Sequence, residues 1–487
     1  MEDFILGAYV FSLSILFLFG SHGFVMIYYY FKNKDKKPVG KTTLDDKPMV
    51  TVQLPVYNEL YVVERLIDAV CALDYPKDRL EIQVLDDSTD ETVDVVAAIV
   101  AARREDGFDI VQIRRENRVG FKAGALRYGM DFAKGEFLAI FDADFVPRPG
   151  FLNETLRHFT SERIGMVQTR WEHLNNEFSL LTRAQGIALD GHFVIEQQVR
   201  NKSGFFINFN GTAGVWRRSC IEDAGNWEAD TLTEDLDLSY RAQLRGWRFV
   251  YLNDVTSPAE LPSEINALKS QQFRWTKGAI ETARKILPRV WKAKLPFRVK
   301  IQSTFHLTNN LVFPFILLTG ILNVPLVFIK HAGRHETFFA FMSVFVLAFV
   351  SSFLFYLYSQ KDVYLDWKKR IFLFPLFMSG SMGLSVNNSR AVIEGLLNRK
   401  SAFIRTPKFR IETEKDTWKD KKYRAASRKI SLAVIFELVL ALYCLVGVVA
   451  SIWFLEIAAL PFQLLFFCGF GIVGFLSIRH AINPGGA

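Results

Sequence analysis

Cysteine is scarce in this chain of 487 residues, which contains four: Cys71, Cys220, Cys444 and Cys468. No two of them form a Cys-x-x-Cys pair, and this argues against a structural zinc site. We expect all four thiols to be reduced and buried, as is usual for a protein whose soluble part faces the cytosol.

Long hydrophobic runs are absent from residues 47–290, although half of the whole chain is hydrophobic. The apolar residues are concentrated in five runs that can each cross a bilayer core, which takes about 20 residues. These runs cover about residues 4–31, 304–329, 337–359, 430–454 and 456–478. The first run is too long for the core of a signal peptide and follows two acids, so we expect a membrane helix there.

The sequence also lacks the basic surface of a nucleic-acid-binding domain. The net charge is +8, but the excess lies in clusters beside the apolar runs, at residues 32–37, 368–370 and 415–424. Residues 47–290 show no stripe of basic and aromatic side chains, so we expect no nucleic-acid partner. The positive-inside rule assigns the clusters, and with them residues 47–290, to the cytosolic side. We predict an integral protein of a plasma, inner or Golgi-type membrane.

One further segment, residues 371–397, is apolar only in part. The basic stretches on both sides of it are predicted to be cytosolic, so the segment should enter and leave the membrane on the same side. Its second half, residues 385–394, is too polar to cross. We interpret it as a short apolar dip followed by an amphipathic interface helix. A sixth span is the alternative.

Residues 47–290 alternate between short apolar strands and amphipathic helices, which predicts an α/β domain. The strands are expected at residues 49–55, 81–86, 110–114, 137–142 and 166–169. Polar loops follow the strands, and acidic residues collect in them. In open parallel sheets, ligands bind at the carboxyl ends of the strands. The predicted fold class is thus α/β with a mainly parallel sheet, joined to an α-helical transmembrane bundle.

The strongest local signal is Asp142-Ala143-Asp144, which follows an apolar strand. In extended backbone, residues two apart point to the same side. Two carboxylates on one side can hold a hard divalent cation, and Mg²⁺ typically combines such ligands with substrate phosphates. We predict that Asp142 and Asp144 bind Mg²⁺ or Mn²⁺. A surface turn with two acids is the alternative.

Other motifs allow both structural and functional interpretations. Lys122 lies between glycines at a predicted helix start, where free N–H groups favour phosphate. Thr233-Glu234-Asp235 fits the start of a capped helix.

Gln271, Arg274 and Trp275 share one face of a helix predicted over residues 263–286. A guanidinium there could neutralise a departing diphosphate and an indole could carry a sugar ring, whereas an interface helix with a headgroup-level Trp is the alternative.

Four signatures in a fixed order carry a family resemblance: Asp86–Asp87, Asp142–Asp144, Thr233–Asp235 and Gln271–Trp275. They resemble the D, D, D, QxxRW pattern of membrane-integrated, inverting, processive family 2 glycosyltransferases, such as cellulose synthase and hyaluronan synthase. The strings Gln168–Trp171 and Phe209–Gly214 look closest to plant cellulose-synthase-like mannan and glucan synthases and their bacterial relatives. The resemblance extends from about residue 49 to 290 and implies a GT-A-like domain that binds a nucleotide sugar.

The resemblance also implies a role for each motif. Asp235 would take the acceptor proton as general base, within hydrogen-bond reach of the hydroxyl. The other implied catalytic residues are Glu234, Gln271, Arg274 and Trp275. The implied donor-binding residues are Tyr57, Glu59, Asp86, Asp87, Lys122, Asp142, Thr406 and Lys408.

Thr406 and Lys408 belong to the string Phe403-Ile404-Arg405-Thr406-Pro407-Lys408, which resembles the gating-loop motif Phe-x-Val-Thr-x-Lys of cellulose synthases. Arg405 departs from that motif, in which Val is usual. Such a lid could close on the diphosphate and exclude water. A basic loop beside the membrane is the alternative.

The predicted organisation has five parts. They are a first transmembrane helix with a basic linker (1–46), a cytosolic glycosyltransferase domain (47–290), interface helices with two spans (291–397), a cytosolic gating-loop region (398–428) and two C-terminal spans (429–487). We predict a hexosyltransferase that makes a β-1,4-glucan, mannan or glucomannan from UDP-glucose or GDP-mannose and passes it through its own channel.

The expected partners are the nucleotide-sugar donor, the growing polysaccharide and the lipid bilayer, and the sequence leaves the oligomeric state open. A non-processive enzyme that adds one sugar to a lipid is the alternative function. A transporter is disfavoured because the spans carry few ionisable residues.

Overall fold

The computed structural model describes residues 1–36, 40, 46–333, 335–401, 403–413, 415–417, 421 and 431–482. It confirms the expected fold class: a mostly parallel sheet flanked by helices, joined to a set of long apolar helices. The linker and gating-loop regions of the predicted organisation lie partly outside the described residues, as do the basic residues Lys419, Lys422 and Arg424.

Seven strands form one sheet in the order β3-β2-β1-β4-β6-β5-β7. Their bounds are β1 Val50–Val56, β2 Leu80–Asp86, β3 Asp109–Ile113, β4 Phe137–Ile140, β5 Ile164–His173, β6 Gly214–Arg217 and β7 Arg248–Ala259. β1 and β2 alternate apolar and polar residues over most of their length, yet both are almost wholly buried because the sheet is covered on both faces. Their buried polar side chains find partners across the strands, as where Thr51 Oγ1 donates to Glu81 Oε2 at 2.6 Å. Only β6 runs antiparallel to its neighbours, β4 and β5.

Helices flank this sheet. The helices of the α/β domain are α2 Val63–Cys71, α3 Thr92–Glu105, α4 Phe121–Met130, α5 Phe151–Leu156, α6 Leu180–Asp190, α7 Gln198–Lys202, α8 Arg218–Asp223, α9 Glu234–Leu244 and α10 Ile265–Lys292, with α1 Glu2–Asn33 preceding β1. A π-helical turn, Gly191–Gln197, joins α6 to α7. α10 begins within two residues of the predicted helix start and extends beyond its predicted end.

The remaining helices lie between residues 297 and 482, where most of the apolar runs occur. They are α11 Phe297–Thr308, α12 Val312–His331, α13 Glu336–Met342, α14 Val346–Val363, α15 Trp367–Ile371, α16 Phe374–Gly383, α17 Ser385–Leu396, α18 Leu432–Trp453 and α19 Leu460–Ile482. Five segments of the described chain are long and apolar enough to span a membrane: Glu2–Asn33, Phe297–His331, Glu336–Val363, Leu432–Trp453 and Leu460–Ala481. They coincide with the five runs in the sequence.

The segment 371–397 forms two short helices, α16 and α17, rather than one long helix. α16 packs against α19, whereas α17 packs against α10 and α12. Neither helix has the roughly 20 residues that a span requires. The two helices are separated by Leu384, and the dip followed by an interface helix stays a prediction.

The cysteines meet the expectation only in part. All four are free, and Cys220 and Cys444 are buried. Cys71 and Cys468 are only half-buried, so the prediction of burial was wrong for these two.

Candidate active site

A cavity of about 200 Å³ lies at the carboxyl ends of β1, β2 and β4. Parallel strands bring these ends to one edge of the sheet, so residues far apart in sequence meet there. Of the fourteen residues predicted for the site, thirteen line this cavity: Tyr57, Glu59, Asp87, Lys122, Asp142, Asp144, Glu234, Asp235, Gln271, Arg274, Trp275, Thr406 and Lys408.

The predicted residue that does not line the cavity is Asp86. Its side chain is buried, and its two carboxylate oxygens accept hydrogen bonds from the Ser88 N–H (2.9 Å) and from Gln112 Nε2 (2.7 Å). Adjacent residues at a strand end point to opposite sides, so only one acid of the pair can face the ligand edge. That acid is Asp87, which the Arg115 guanidinium holds through two hydrogen bonds.

Asp142 and Asp144 lie in a turn after β4 and not in extended backbone, but both face the cavity. Each carboxylate accepts a hydrogen bond from a lysine: Lys122 Nζ lies 2.5 Å from Asp142 Oδ1, and Lys408 Nζ lies 2.6 Å from Asp144 Oδ2. The ligand set fits a hard divalent ion because both groups are carboxylates, and the two ammonium groups show that positive charge is accommodated at this point.

Glu234 and Asp235 open α9, and Asp235 lies beside a glycine turn. The backbone N–H of Leu236 donates to Asp235 Oδ1 at 2.8 Å. Gly211 has a φ of +80°, and a Cβ added to it would lie 3.1 Å from Asp235 Oδ2. Glycine therefore allows both the left-handed turn and the close approach of this carboxylate.

α10 carries Gln271, Arg274 and Trp275 along one side of the cavity. Arg274 donates to the Ile404 carbonyl at 2.9 Å and to Thr406 Oγ1 at 3.4 Å, which ties the helix to the segment 403–411. The Trp275 ring lies near that of Trp171, with 6.4 Å between centroids.

The segment 403–411 covers the cavity, and its contacts involve the position that departs from the gating-loop motif. Arg405 makes a two-pronged ion pair with Glu59, with N–O distances of 2.7 and 2.6 Å. Lys408 donates to the Glu260 carbonyl in addition to Asp144, and the Phe409 N–H donates to Glu260 Oε1. We name this segment, residues 403–411, the lid.

Burial dominates the protonation of the acids. It raises the pKa of Asp235, and the neighbouring Glu234 carboxylate raises it further. Burial also raises the pKa of Glu234 and raises that of Glu59 to about 7, in spite of Arg405. For Lys122, burial lowers the pKa, but the nearby carboxylates led by Asp142 outweigh it, and the net shift is upward.

Comparisons with known proteins agree with this geometry. Residues 48–278 match the family model described as glycosyltransferase like family 2. Residues 48–278 are thus similar to the family 2-like glycosyltransferases. It is 44% identical over 268 residues to glucomannan 4-beta-mannosyltransferase 1 of Oryza sativa subsp. japonica and 42% identical over 282 residues to glucomannan 4-beta-mannosyltransferase 2 of Arabidopsis thaliana.

These matches cover 54% and 55% of this chain, and they span about half the length of the curated relatives, 51% and 53% respectively. They confirm the resemblance to the cellulose-synthase-like group. The solved mannosyltransferase PcManGT from Pyrobaculum calidifontis, in complex with GDP-Man and Mn²⁺, shares the fold with a TM-score of 0.56. That comparison has 19% sequence identity and covers 80% of this chain and all of that one.

Among the cavity residues, the sequence analysis missed Glu260, which lines the cavity and anchors the lid. The signal that could have found Glu260 was its position directly after β7, because acids at the ends of strands were predicted to face the ligand site. Burial raises the pKa of Glu260. His173 was also missed, and it pairs with Asp190 at 3.1 Å.

A second acidic group lies outside the cavity. Glu228, Asp230 and Asp237 come within metal-binding distance of one another. Lys285 Nζ lies among them, at 2.6, 2.8 and 3.0 Å from the nearest oxygen of each. Arg241 pairs with Asp237 at 2.7 Å and lies 3.7 Å from Glu228, so two cations share the three acids. The cluster therefore connects α9 to α10 rather than forming part of the candidate active site.

Proposed function

We propose that this chain transfers mannosyl residues from a nucleotide sugar, preferentially GDP-mannose, to the end of a growing β-1,4-linked mannan or glucomannan. The observation that carries the proposal is the convergence of a paired-aspartate turn, a buried acid at a helix start and the Gln271–Trp275 face in one cavity. The curated relatives named as glucomannan mannosyltransferases support the sugar and the linkage.

The transfer is a single displacement with inversion. The acceptor hydroxyl oxygen forms a bond to the anomeric carbon while the bond from that carbon to the diphosphate oxygen breaks. Asp235 takes the hydroxyl proton, a role that its raised pKa suits because a base works best near the ambient pH. Arg274, Lys122 and Lys408 border the cavity, and their positive charges stabilise the negative charge of the departing nucleoside diphosphate.

Asp142 and Asp144 would hold a divalent cation, Mg²⁺ or Mn²⁺, which supplies charge neutralisation to the diphosphate when bound. The complex of PcManGT with GDP-Man and Mn²⁺ supports the choice of metal. Lys122 and Lys408 then orient the two carboxylates from either side. Tyr57 and Asp87, which also line the cavity, would contact the nucleoside.

We further propose that the product leaves past Trp275 into a passage between the spans. A polar path leads in that direction: Asn210 lines the cavity and donates to His192 at 2.8 Å, and His192 pairs with Glu196 at 3.0 Å. The side chains of His192 and Glu196 keep 27% and 21% exposure, although the π-helical turn that carries them packs against α1 and α14. This supports a hydrated space below the cavity.

The test incubates purified full-length protein with a panel of radiolabelled GDP- and UDP-sugars and a divalent cation. We expect labelled polymer from GDP-mannose that is digested by a β-1,4-mannanase and not by a β-1,4-glucanase. A glucanase-sensitive product from UDP-glucose would reassign the donor. A single labelled sugar on an extracted lipid would contradict polymerisation and favour the non-processive alternative.

A further inference from the structure

A second cavity lies between four helices where the α/β domain meets the apolar helices. Its volume is about 610 Å³, and one face each of α6, α10, α16 and α19 forms the wall. The wall residues Phe377 and Gly380 of α16 and Leu384, directly after it, follow one another at intervals of three and four, which keeps them on one side. The wall is predominantly apolar, unlike that of the active-site cavity.

Exposed apolar side chains of a candidate span border this cavity. α19 is one of the candidate spans, and its wall residues Ile472 and Phe475 are 37% and 60% exposed. Leu180, at the start of α6, is also exposed and borders the same cavity. Exposed apolar side chains on a span lie against lipid chains, and an apolar cavity between them offers water no partners.

Two of the polar groups on the wall have partners within the chain. The Ile265 N–H donates to His480 Nδ1 at 3.2 Å, and Gln185 Nε2 donates to the Pro262 carbonyl at 2.9 Å. A polysaccharide would need partners for many hydroxyl groups, and burying a hydroxyl without one is costly. The chemistry of the wall therefore favours an acyl chain over a sugar chain.

A basic residue marks one end of the cavity. Arg479 lies in the last turn of α19, which is the end of the span nearest to the α/β domain, beside the start of α10. Basic groups between transmembrane helices at the membrane surface bind anionic lipid headgroups. We propose that this cavity binds an acyl chain of an anionic phospholipid from the leaflet on the side of the α/β domain, with the headgroup phosphate at Arg479.

The bound lipid would pack against residues of α10 that do not line the active-site cavity. Leu268 and Gln272 of α10 face the lipid cavity, whereas Gln271, Arg274 and Trp275 of the same helix line the active-site cavity. A filled cavity removes empty space behind the helix, and such space costs stability. The inference concerns lipid binding and is independent of the proposed transferase activity.

Gly380→Leu tests the site because a Cβ at Gly380 meets nothing within 4 Å, so the new side chain enters the cavity without a clash at its base. Gly7→Leu is the matched control, since Gly7 lies in a different span and its Cβ also meets nothing within 4 Å. Each full-length protein is purified in detergent, delipidated and titrated with phosphatidylglycerol, and bound lipid is counted by native mass spectrometry.

We expect wild type and Gly7→Leu to bind phosphatidylglycerol at about one site and Gly380→Leu to lose that site. Arg479→Gln should keep acyl binding and lower the preference for phosphatidylglycerol over phosphatidylcholine by about fivefold, the effect of one basic group near anionic lipid. Glycerophosphate alone should not bind wild type, a result that does not depend on the folding of any variant.

Equal lipid binding by wild type and Gly380→Leu would overturn the proposal, as would binding of glycerophosphate. A concentration-dependent dimer of wild type that Gly380→Leu abolishes, without lipid binding, would also overturn it and assign the face to a second copy of the chain.

Discussion

Lys122 and Lys408 each hold one of the two aspartates proposed as metal ligands. An ammonium group beside a carboxylate offsets the free-energy cost of enclosing its charge. The same two lysines border the space where a diphosphate would bind the cation. At the scale of single residues, each aspartate of this pair thus has a lysine partner. A bound cation and diphosphate can take the place of these partners.

Asp144→Asn should weaken metal-dependent donor binding, because the amide is a poorer ligand for a hard cation and no longer pairs with Lys408. Removing a residue that only hydrogen-bonds to a metal ligand typically lowers metal affinity ~10–100-fold. Removing a ligand itself should have at least that effect. Donor binding is measured against Mn²⁺ concentration, and excess Mn²⁺ should partly restore it. Asp230→Asn, outside the cavity, is the control. Wild-type activity that persists in excess chelator would contradict the metal site.

The pH dependence follows from the raised pKa of Asp235, which burial and Glu234 cause. An acid with a raised pKa is still protonated where an ordinary aspartate, with a pKa of about 3.9, has already lost its proton. Asp235 cannot accept a proton in that form, so kcat/KM should fall as pH is lowered through the neutral range. Steady-state rates between pH 5 and 9 test this. Rates that stay constant from pH 9 down to pH 5 would argue against Asp235 as the base.

The lid is the element that completes the cavity. Its three charged contacts, Arg405 with Glu59, Lys408 with Asp144 and the Phe409 N–H with Glu260, bind it to three different parts of the α/β domain. The departure from the gating-loop motif at Arg405 supplies the one contact of these three that is a two-pronged ion pair. In this chain the loop after β1, which carries Glu59 and which the family resemblance assigns to the nucleotide, is therefore also a lid anchor.

A double-mutant cycle measures that anchor. Arg405→Leu should raise the KM for the donor by roughly 2- to 100-fold, which corresponds to coupling energies of ~0.5–3 kcal/mol for residues in contact. The same substitution in a Glu59→Gln background should have a much smaller effect, because the partner charge is already gone. Additive effects of the two changes would show that the pair does not hold the lid.

Local sequence patterns predicted which residues belong to the site better than they predicted the contacts between those residues. Acids that follow apolar strands were found at Asp87, Asp142 and Asp144, because strand ends converge in any parallel sheet. The pairing of Arg405 with Glu59 joins residues 346 apart in sequence, and no local pattern encodes such a contact. Sequence also could not tell which acid of the Asp86–Asp87 pair faces the ligand, since the choice depends on the register of β2.

At the scale of the whole molecule, α10 connects the two halves. It lines the active-site cavity with one face, contacts α17 and α19, and forms a buried ion pair through Lys269 with Glu437 of α18, at 2.7 Å. Breaking a buried pair is strongly destabilising, so this contact fixes α10 against the bundle. Trp275 consequently lies at a defined place between the cavity and the spans.

Trp275→Ala should impair elongation more than donor hydrolysis. An indole that stacks on the terminal sugar positions the acceptor without touching the nucleotide, and misplacing a reactant by ~1 Å can cost ~10²-fold. Nucleotide release and product length are measured on one preparation. We expect continued release with shorter product. Equal loss of both, in a folded protein, would place Trp275 at the donor instead.

The central claim is that this cavity carries out glycosyl transfer with Asp235 as the base. Asp235→Asn tests it most directly, because the change removes the base with little change in volume. Labelled donor binding and polymer formation are measured on the same purified full-length preparation. We predict donor binding close to wild type and polymer formation lower by ~10²–10⁴-fold. Polymer formation near the wild-type rate would contradict the account.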